Sequence, residues 1–338
     1  MLTMNVLLSV AFVITWSSGF IGAKLGAGSA SAVTLLMWRF LPLALALLAA
    51  AALARHIRRR RHPRDGPGRT LSARTVGRQA VIGLLSQSGY LLTVYWAIQL
   101  GVSSGTTALI DGTQPLVAGA LLGPLLGQYV TRSQWLGLLL GLAGVALVTT
   151  ADAHSGTSTD VAWWAYLVPF LGMLSLVAAT FLERRARADV PPMTALTLHS
   201  TVSAAVFSAL ALATGDALPP ATAEFWTAVT WLVVLSTFGG YGLYWLLLRR
   251  SGVTAVNTLM FLMAPVTAVW GALMFGEPFG LQTAFGLAVV IASVQVVRRG
   301  ERRPERRVSL TPGPARPSGA SAFLGELTRA RRVMRGGR

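Results

Sequence analysis

Ten long apolar segments constrain the fold of this chain more than any other feature of its sequence. A bilayer core about 30 Å thick needs roughly 20 apolar residues in a helix that crosses it. Only 12% of the 338 residues are charged, against about 25% in soluble proteins, which excludes a soluble enzyme and a disordered chain. We therefore predict an all-α integral membrane protein with ten transmembrane helices. They cover residues 4–25, 32–53, 79–100, 106–126, 134–150, 161–182, 193–214, 225–248, 253–276 and 281–297.

Arginine is distributed unevenly among the segments that connect these helices. The chain has 28 Arg and one Lys against 12 acidic residues, and membrane proteins keep basic loops in the cytoplasm. With a cytoplasmic N-terminus, 27 of the 29 basic residues fall on the cytoplasmic side, and only Lys24 and Arg39 lie in or beside spans. We therefore predict a multi-pass protein of the cytoplasmic (inner) cell membrane with both termini in the cytoplasm.

Residues 299–338 differ in composition from the rest of the chain. They are rich in Arg, Pro, Gly and Ser and have little apolar surface to bury, which predicts a disordered basic cytoplasmic tail. Its charge favours either contact with anionic lipid headgroups or a role limited to fixing the topology. We expect no nucleic-acid binding by so short and irregular a segment.

The two halves of the apolar region share an ordered series of landmarks. In each half a Tyr-Trp pair is followed by a glycine turn, a proline and a second glycine turn, with spacings that agree to within two residues. Such a series indicates an internal repeat, here over residues 1–150 and 151–298. The landmarks are Tyr95, Gly101, Pro115 and Gly127 in the first half and Tyr244, Gly252, Pro265 and Gly276 in the second.

Each predicted repeat contains five spans, so the second copy must cross the membrane upside down relative to the first. The charges agree, because the loop after the second span holds nine Arg and its counterpart, residues 215–224, holds none. Inverted repeats are the architecture of many secondary transporters, whose substrate site lies near the bilayer midplane between the halves. The sequence therefore predicts transport by alternating access.

Short motifs in both halves are typical of one known family. They are Trp16-Ser17-Ser18-Gly19-Phe20, Arg39-Phe40, Tyr95-Trp96-Ala97, Gln114-Pro115-Leu116, Ala264-Pro265-Val266 and Gly276-Glu277. On these motifs, roughly residues 5–298 resemble the EamA branch of the drug/metabolite transporter superfamily. The resemblance implies two inverted five-helix bundles and export of small metabolites, often amino acids or toxic analogues. Asp111 departs from the family pattern, which usually has an apolar residue there.

Two ionisable residues inside the predicted spans are the first candidates for a substrate or coupling site. Each costs roughly 2.5–3.5 kcal/mol on insertion scales and therefore needs an explanation. Arg39 would bind a substrate carboxylate, pair with Asp111, or serve as a structural residue that reaches a carbonyl. Asp111 would bind a proton or an ammonium group, or would simply be hydrogen-bonded to neighbouring hydroxyls.

Two prolines and two amides complete the candidate site. Pro115 and Pro265 occupy equivalent positions of the repeats, and a proline in mid-helix frees backbone groups that only a cavity or a neighbouring helix can satisfy. Gln114 and Asn257 add neutral polar atoms nearby. Together with Arg39 and Asp111, these four residues form the predicted substrate-binding or coupling set.

Other membrane-embedded polar residues have simpler interpretations. His199 is expected to be a buried, hydrogen-bonded neutral imidazole. Lys24 is expected to extend to the membrane surface, and Glu277 to serve as a solvated cap or turn residue between the ninth and tenth spans. The Tyr-Trp pairs fit either the aromatic belt of the membrane interface or the interior.

The sequence contains no pattern that indicates catalysis. It has no cysteine, no phosphate-binding glycine loop with lysine and no metal-spaced cluster, so we expect no enzyme, no cofactor and no metal. The expected partners are a small-molecule substrate, the lipid bilayer and a proton as the coupling ion. The sequence leaves open a homodimer, an importer or facilitator of the same fold, and a membrane scaffold or lipid-handling protein.

Overall fold

The apolar segments of the sequence form helices throughout the part of the chain that the structure describes. This computed structural model describes residues 2–61, 71–114, 116–118, 121, 132–155, 161–186, 190–260 and 262–301. Those residues contain helices and turns and no β-strand. Helices suit a bilayer because they satisfy their backbone N–H and C=O groups within one segment.

Twelve α-helices are described, and three of the longer helical runs contain a segment of different pitch. The α-helices are α1 (Leu2–Ala27), α2 (Ala32–Arg61), α3 (Ala73–Gly83), α4 (Tyr90–Gln99), α5 (Ser104–Gly112), α6 (Arg132–Ala153), α7 (Val168–Ala186), α8 (Pro192–Thr214), α9 (Ala223–Trp231), α10 (Gly242–Met260), α11 (Met263–Phe275) and α12 (Leu281–Glu301). A 3₁₀ segment (Trp163–Leu167) precedes α7. Two π-helical segments, π1 (Leu84–Gly89) and π2 (Leu232–Tyr241), join α3 to α4 and α9 to α10.

Within the described ranges, seven helices are long and apolar enough to cross a membrane. They correspond to the predicted spans one to three and five to eight. Two shorter apolar helices, Met263–Phe275 and Leu281–Ser293, correspond to the predicted ninth and tenth spans. The predicted fourth span begins in α5 and then enters residues outside the described part. The seven are Met4–Ala27, Ala32–Arg58, Ala73–Gln99, Trp135–Ala153, Trp163–Glu183, Pro192–Thr214 and Ala223–Ser251.

The predicted boundary between spans eight and nine is wrong in position. α10 continues through Arg249 and Arg250, both exposed, as far as Met260. Arg is a good helix former, and a glycine inside a helix costs only about 1 kcal/mol relative to Ala. The break comes instead at Leu262, just before α11. Pro265 lies in the first turn of α11, where a proline is tolerated because that turn needs no N–H from it.

Helices of the two predicted halves pack against one another. α2 packs against α8, α5 against α11, α4 against α7, and α1 against π2. α6 and α12 meet through glycines, since a Cβ on Gly144 would lie only 2.8 Å from the carbonyl oxygen of Gly286. Buried apolar side chains fill these contacts, with Phe40 and Phe207 stacked at a ring-centroid distance of 5.9 Å. The core therefore lies between helices that are far apart in sequence.

Candidate functional site

A buried arginine lies where α2, α4 and π2 meet. The Arg39 side chain is 3% exposed. Its Nη1 donates to the hydroxyl of Tyr95, and its Nη2 donates to Ser236 Oγ at 3.2 Å and Thr237 Oγ1 at 3.3 Å. These partners are neutral, and Nε has no hydrogen-bond partner among the described residues. Arg39 is therefore a buried cation for which the described part of the chain supplies no ion-pair partner.

A small cavity of about 50 Å³ opens beside this guanidinium group. Aromatic rings form much of the wall, including Trp16 and Tyr241, whose centroids are 5.6 Å apart. Ser86 of π1 and Ser236 of π2 add hydroxyl groups to the lining. The cavity thus combines a cation, aromatic surface and neutral hydrogen-bonding groups.

Asp111 is connected to this cavity through one side chain. Tyr90 lines the cavity, and its hydroxyl donates to Asp111 Oδ2 at 2.7 Å. Asp111 Oδ1 is buried and has no hydrogen-bond partner among the described residues. Arg39 and Asp111 have separate partners, so the direct ion pair considered from the sequence is not formed within the described part. The structure places Arg39 in the cavity wall and Asp111 one hydrogen bond away from that wall, through Tyr90.

The two π segments supply most of the neutral polar groups around the cavity. In π1, Gln87 Nε2 donates to the hydroxyl of Tyr241 at 3.3 Å. Ser88 and Ser203 share a hydrogen bond at 3.1 Å between their hydroxyls, and Ser203 also donates to Gln87 Oε1 at 3.4 Å. A π-helical turn widens the backbone locally and is frequent at functional sites. These segments therefore position the polar wall of the cavity.

A second polar cluster surrounds the N-terminus of α5. Glu277 Oε1 accepts from the backbone N–H of Ser104 at 2.8 Å and lies 3.6 Å from Lys24 Nζ. Its Oε2 accepts from Ser104 Oγ at 2.6 Å and from the N–H of Gly105 at 3.4 Å. A Cβ at Gly271 would overlap Glu277 Oε2, so glycine is required for this approach. Glu277 is 9% exposed, so the expectation that it is solvated is wrong, and it caps α5 instead of a helix beside its own turn.

Asp152 reaches the same helix terminus from α6. The predicted fifth span ended at residue 150, but the helix continues to Ala153, so that Asp152 lies in the last turn of α6, 2% exposed. Its Oδ2 accepts from the backbone N–H of Ser103 at 3.2 Å, and its Oδ1 has no partner among the described residues. The N-terminus of α5 is thus approached by two carboxylates, and its C-terminal turn carries Asp111.

A sequence model of the EamA-like transporter family matches residues 3–150 and 163–299. The chain belongs to the EamA-like transporter family. This EamA transporter is therefore a multi-pass membrane protein, and the names of its family and relatives indicate a transporter rather than an enzyme.

Two relatives of this EamA transporter match most of its length. A probable terminal-alkyne amino-acid exporter of Streptantibioticus cattleyicolor is 25% identical over 309 residues, which are 90% of this chain and 96% of that protein. The uncharacterized inner membrane transporter YedA of Escherichia coli K12 is 23% identical over 293 residues, 86% of this chain and 89% of its own. A solved crystal structure matches with a TM-score of 0.58 at 17% identity, over 90% of this chain and 99% of its own, which shows likeness of fold alone.

Of the remaining predicted site residues of the transporter, those that the structure describes are not part of the cavity lining. Gln114 is half-buried beyond the end of α5 and is not among the described cavity-lining residues. Pro265 is the third residue of α11, so the expectation of a mid-helix proline is wrong, since the first turn of a helix needs no N–H from it. Pro115 lies outside the described residues. Asn257 lies in α10, and its side chain is outside the described part.

Sequence reasoning missed the tyrosines and hydroxyls that hold the charged residues. Tyr95, considered for the aromatic belt, is instead 3% exposed and bonded to Arg39. The polar run Ser86-Gln87-Ser88-Gly89-Tyr90 inside an apolar span was the available signal for π1 and Tyr90. The expectation that His199 is hydrogen-bonded is confirmed, because its Nε2 forms a hydrogen bond with Gln79 Oε1 at 2.8 Å.

Proposed function

We propose that this EamA transporter exports a small carboxylate-bearing metabolite, such as an amino acid or an amino-acid analogue. The observation that supports this proposal is the environment of Arg39. This buried cation lies beside the cavity, and its three hydrogen-bond partners are neutral hydroxyls. A buried charge without a partner is strongly unfavourable, and a planar guanidinium group binds a carboxylate through two parallel hydrogen bonds. The substrate carboxylate would be the anion that the described residues do not provide.

The cavity walls suit the rest of such a substrate. Trp16 and Tyr241 offer aromatic surface for an apolar side chain, and aromatic faces also attract cations such as an ammonium group. Tyr90 and the serines of the two π segments add hydrogen-bonding atoms. The name of the relative from Streptantibioticus, an exporter of an amino acid with an apolar alkyne group, supports this class of substrate.

We propose that transport proceeds by alternating access between two inverted repeats, residues 1–150 and 151–298. Two observations support this arrangement. Tyr95 and Tyr244 are 149 residues apart. Adding 149 to the residue numbers of π1 gives 233–238, which lie inside π2. The packing of α4 on α7 has its counterpart in the packing of α1 on π2. Both relations are those that a pseudo-two-fold axis between the halves would produce.

We propose a proton as the coupling ion and Asp111 as its site. The Asp111 carboxylate has one partner, the hydroxyl of Tyr90, and one buried oxygen without a partner among the described residues. Tyr90 also forms part of the cavity wall. A change in the charge of Asp111 would therefore reach the cavity through a single hydrogen bond.

We propose ten spans in the cytoplasmic membrane, with both termini in the cytoplasm. The segregation of 27 of the 29 basic residues to one side supports this topology. Reporters fused after Arg64, Arg187 and Arg303 should indicate cytoplasm, and reporters after His154 and Asp216 should indicate the outside. A cytoplasmic reporter signal after His154 would contradict the inverted repeat.

The experiment that tests the substrate class compares matched compounds in reconstituted vesicles. Vesicles with the purified transporter are loaded with α-amino acids, including alkyne-bearing ones, or with the decarboxylated amine of each. We expect counterflow for one or more amino acids and at least tenfold less for the matched amine. Arg39→Gln should abolish this preference, whereas Arg55→Gln, a change at an exposed position of the same helix, should preserve it. Equal transport of acid and amine would contradict carboxylate binding.

Two alternatives predict different outcomes of the same assays. An importer or facilitator of the same fold would equilibrate the substrate without moving it outward against its gradient. A scaffold or lipid-handling protein would depend on the basic tail, so deletion of residues 304–338 would remove its activity. We expect uphill movement out of the cytoplasm, unaffected by this deletion, because the cavity and Arg39 lie outside the tail.

A further inference from the structure

The N-terminus of α5 carries more acidic groups than its surroundings neutralise. Asp152 and Glu277 both accept backbone N–H groups of the first residues there, Ser103 and Ser104. A helix N-terminus contributes the equivalent of about half a positive charge, and Lys24 adds one. Two ionised carboxylates would exceed this total, in a place where Asp152 is 2% and Glu277 9% exposed.

The two carboxylates are satisfied unequally. Glu277 accepts hydrogen bonds from Ser104 N, Ser104 Oγ and Gly105 N, and it has Lys24 at 3.6 Å. Asp152 accepts one hydrogen bond of ordinary geometry, from Ser103 N at 3.2 Å, and the hydroxyls of Ser103, Thr106 and Tyr166 lie nearby. Its second oxygen, Oδ1, is buried with no hydrogen-bond partner in the described part of the chain. Where two carboxylates share a site, the proton goes to the one whose charge is stabilised less, which is Asp152.

We propose that Asp152 holds an exchangeable proton, so that the pocket at the N-terminus of α5 is a proton-binding site separate from the cavity at Arg39. The pocket is small, about 10 Å³, and is lined by Asp152, Glu277 and the hydroxyl residues Thr106 and Thr283. It lies at the opposite end of α5 from Asp111, about 11 Å along the helix axis at 1.5 Å per residue.

The groups around Asp152 favour a proton over a metal cation. Backbone N–H groups of Ser103 and Ser104 point at the carboxylates, and with the ammonium group of Lys24 they would repel a metal ion. The hydroxyl of Tyr166, in the 3₁₀ segment before α7, is close enough to interact with Asp152, although neither that hydroxyl nor Asp152 Oδ1 has a hydrogen bond of ordinary geometry among the described residues. The hydroxyl can donate to an ionised Asp152 and can accept from a protonated one, so both states of the carboxyl can be accommodated and the proton can exchange.

The titratable groups near Asp152 are few. Glu277 approaches from the turn between α11 and α12, Lys24 from α1 and Tyr166 from the 3₁₀ segment. His154, two residues further along, is exposed and bonds the carbonyl of Thr150 through Nδ1 at 2.7 Å. Lys24 and Glu277 already form a pair, which leaves Asp152 as the group that exchanges a proton.

Infrared spectroscopy of the purified full-length protein in lipid nanodiscs tests this proposal without any transport substrate. A protonated carboxyl group has a C=O stretch that is separate from the carboxylate bands and shifts in D₂O when its proton exchanges. We expect such a band at neutral pH in the wild type. Asp152→Asn should lose one carboxyl equivalent of it, whereas Asp216→Asn, the same change at an exposed residue, should lose none.

Two further variants separate the remaining outcomes. Asp111→Asn should leave the Asp152 component of the band in place, and Asp152→Glu should shift the band while keeping its intensity. An unchanged band in folded Asp152→Asn, or no exchange in D₂O, would overturn the proposal. Since the spectra require no export, they can fail while the amino-acid counterflow assay succeeds, and the reverse also holds.

Discussion

The cavity beside Arg39 and the Lys24–Glu277 cluster both place charge inside the protein, but they neutralise it differently. Glu277 has a cation at 3.6 Å and three hydrogen-bond donors. Arg39 has three neutral hydroxyl partners and open space beside it. The Lys24–Glu277 cluster is complete without a ligand and holds α1, α5 and the turn after α11 together. The cavity leaves the charge of Arg39, for which a ligand can compensate.

This difference separates a structural charge from a functional one better than burial does. Arg39 is 3% exposed and Glu277 is 9% exposed, so both would count as buried ionisable residues in a membrane protein. Their partners differ in charge, and a buried pair differs from a lone buried ion by several kcal/mol. Four predictions test this comparison, from the largest expected effect to the smallest.

Glu277→Ala should destabilise the protein most. It leaves Lys24 without its partner and removes the acceptor of the Ser104 and Gly105 N–H groups. Breaking a buried pair costs roughly 3–5 kcal/mol, and because the Lys24 side chain is 26% exposed we expect the lower end, about 3 kcal/mol. Unfolding of the purified protein in mixed micelles measures the loss. Lys24→Met combined with Glu277→Gln should recover part of it, and full stability of Glu277→Ala would show that the cluster is not structural.

Asp111→Asn should affect transport more than stability. The amide oxygen can still accept the Tyr90 hydroxyl, so the protein should insert at normal levels and bind substrate. Loss of the exchangeable proton should reduce uphill export at least tenfold, while downhill flux continues. Vesicles with an imposed pH gradient measure both. Gradient-driven transport at the wild-type rate would remove Asp111 from the coupling mechanism.

Arg39→Met should change the free energy of unfolding by less than about 1 kcal/mol. The substitution removes hydrogen bonds to neutral hydroxyls, each worth about 1 kcal/mol net, but it also removes the cost of an unpaired buried cation. The same unfolding assay gives the comparison with Glu277→Ala. A loss as large as that of Glu277→Ala would mean that Arg39 has an anionic partner in the protein and is structural.

Pro265→Ala should have the smallest effect. Pro265 lies in the first turn of α11, where its missing N–H has no helical partner to lose. Replacing it with Ala mainly raises the conformational entropy of the unfolded chain, which lowers the free energy of unfolding by about 0.4–1 kcal/mol. Transport should stay within about twofold of the wild type. Thermal unfolding and counterflow measure the two effects. A large loss of transport with normal folding would restore Pro265 to the candidate site.

The sequence by itself determined that the chain is a helical membrane protein. The length of its apolar segments and their low charge are visible in the sequence, and they are the properties that allow a helix to cross a bilayer. It also identified Arg39 and Asp111 as residues that need an explanation, since the cost of charge in a span is independent of the fold. The family motifs pointed to the transporter family that the whole-chain match shows.

Only the tertiary structure decided which of these residues share a site. Arg39 meets Ser236 and Glu277 meets Ser104 across 197 and 173 residues of chain, and sequence spacing carries no information on such contacts. The π segments depend on packing between helices, so composition did not reveal that Ser86 and Tyr90 would face a cavity. The separation of Arg39 from Asp111 has the same cause: a charged side chain takes the partner that packing brings within reach, and here packing brought hydroxyl groups to both.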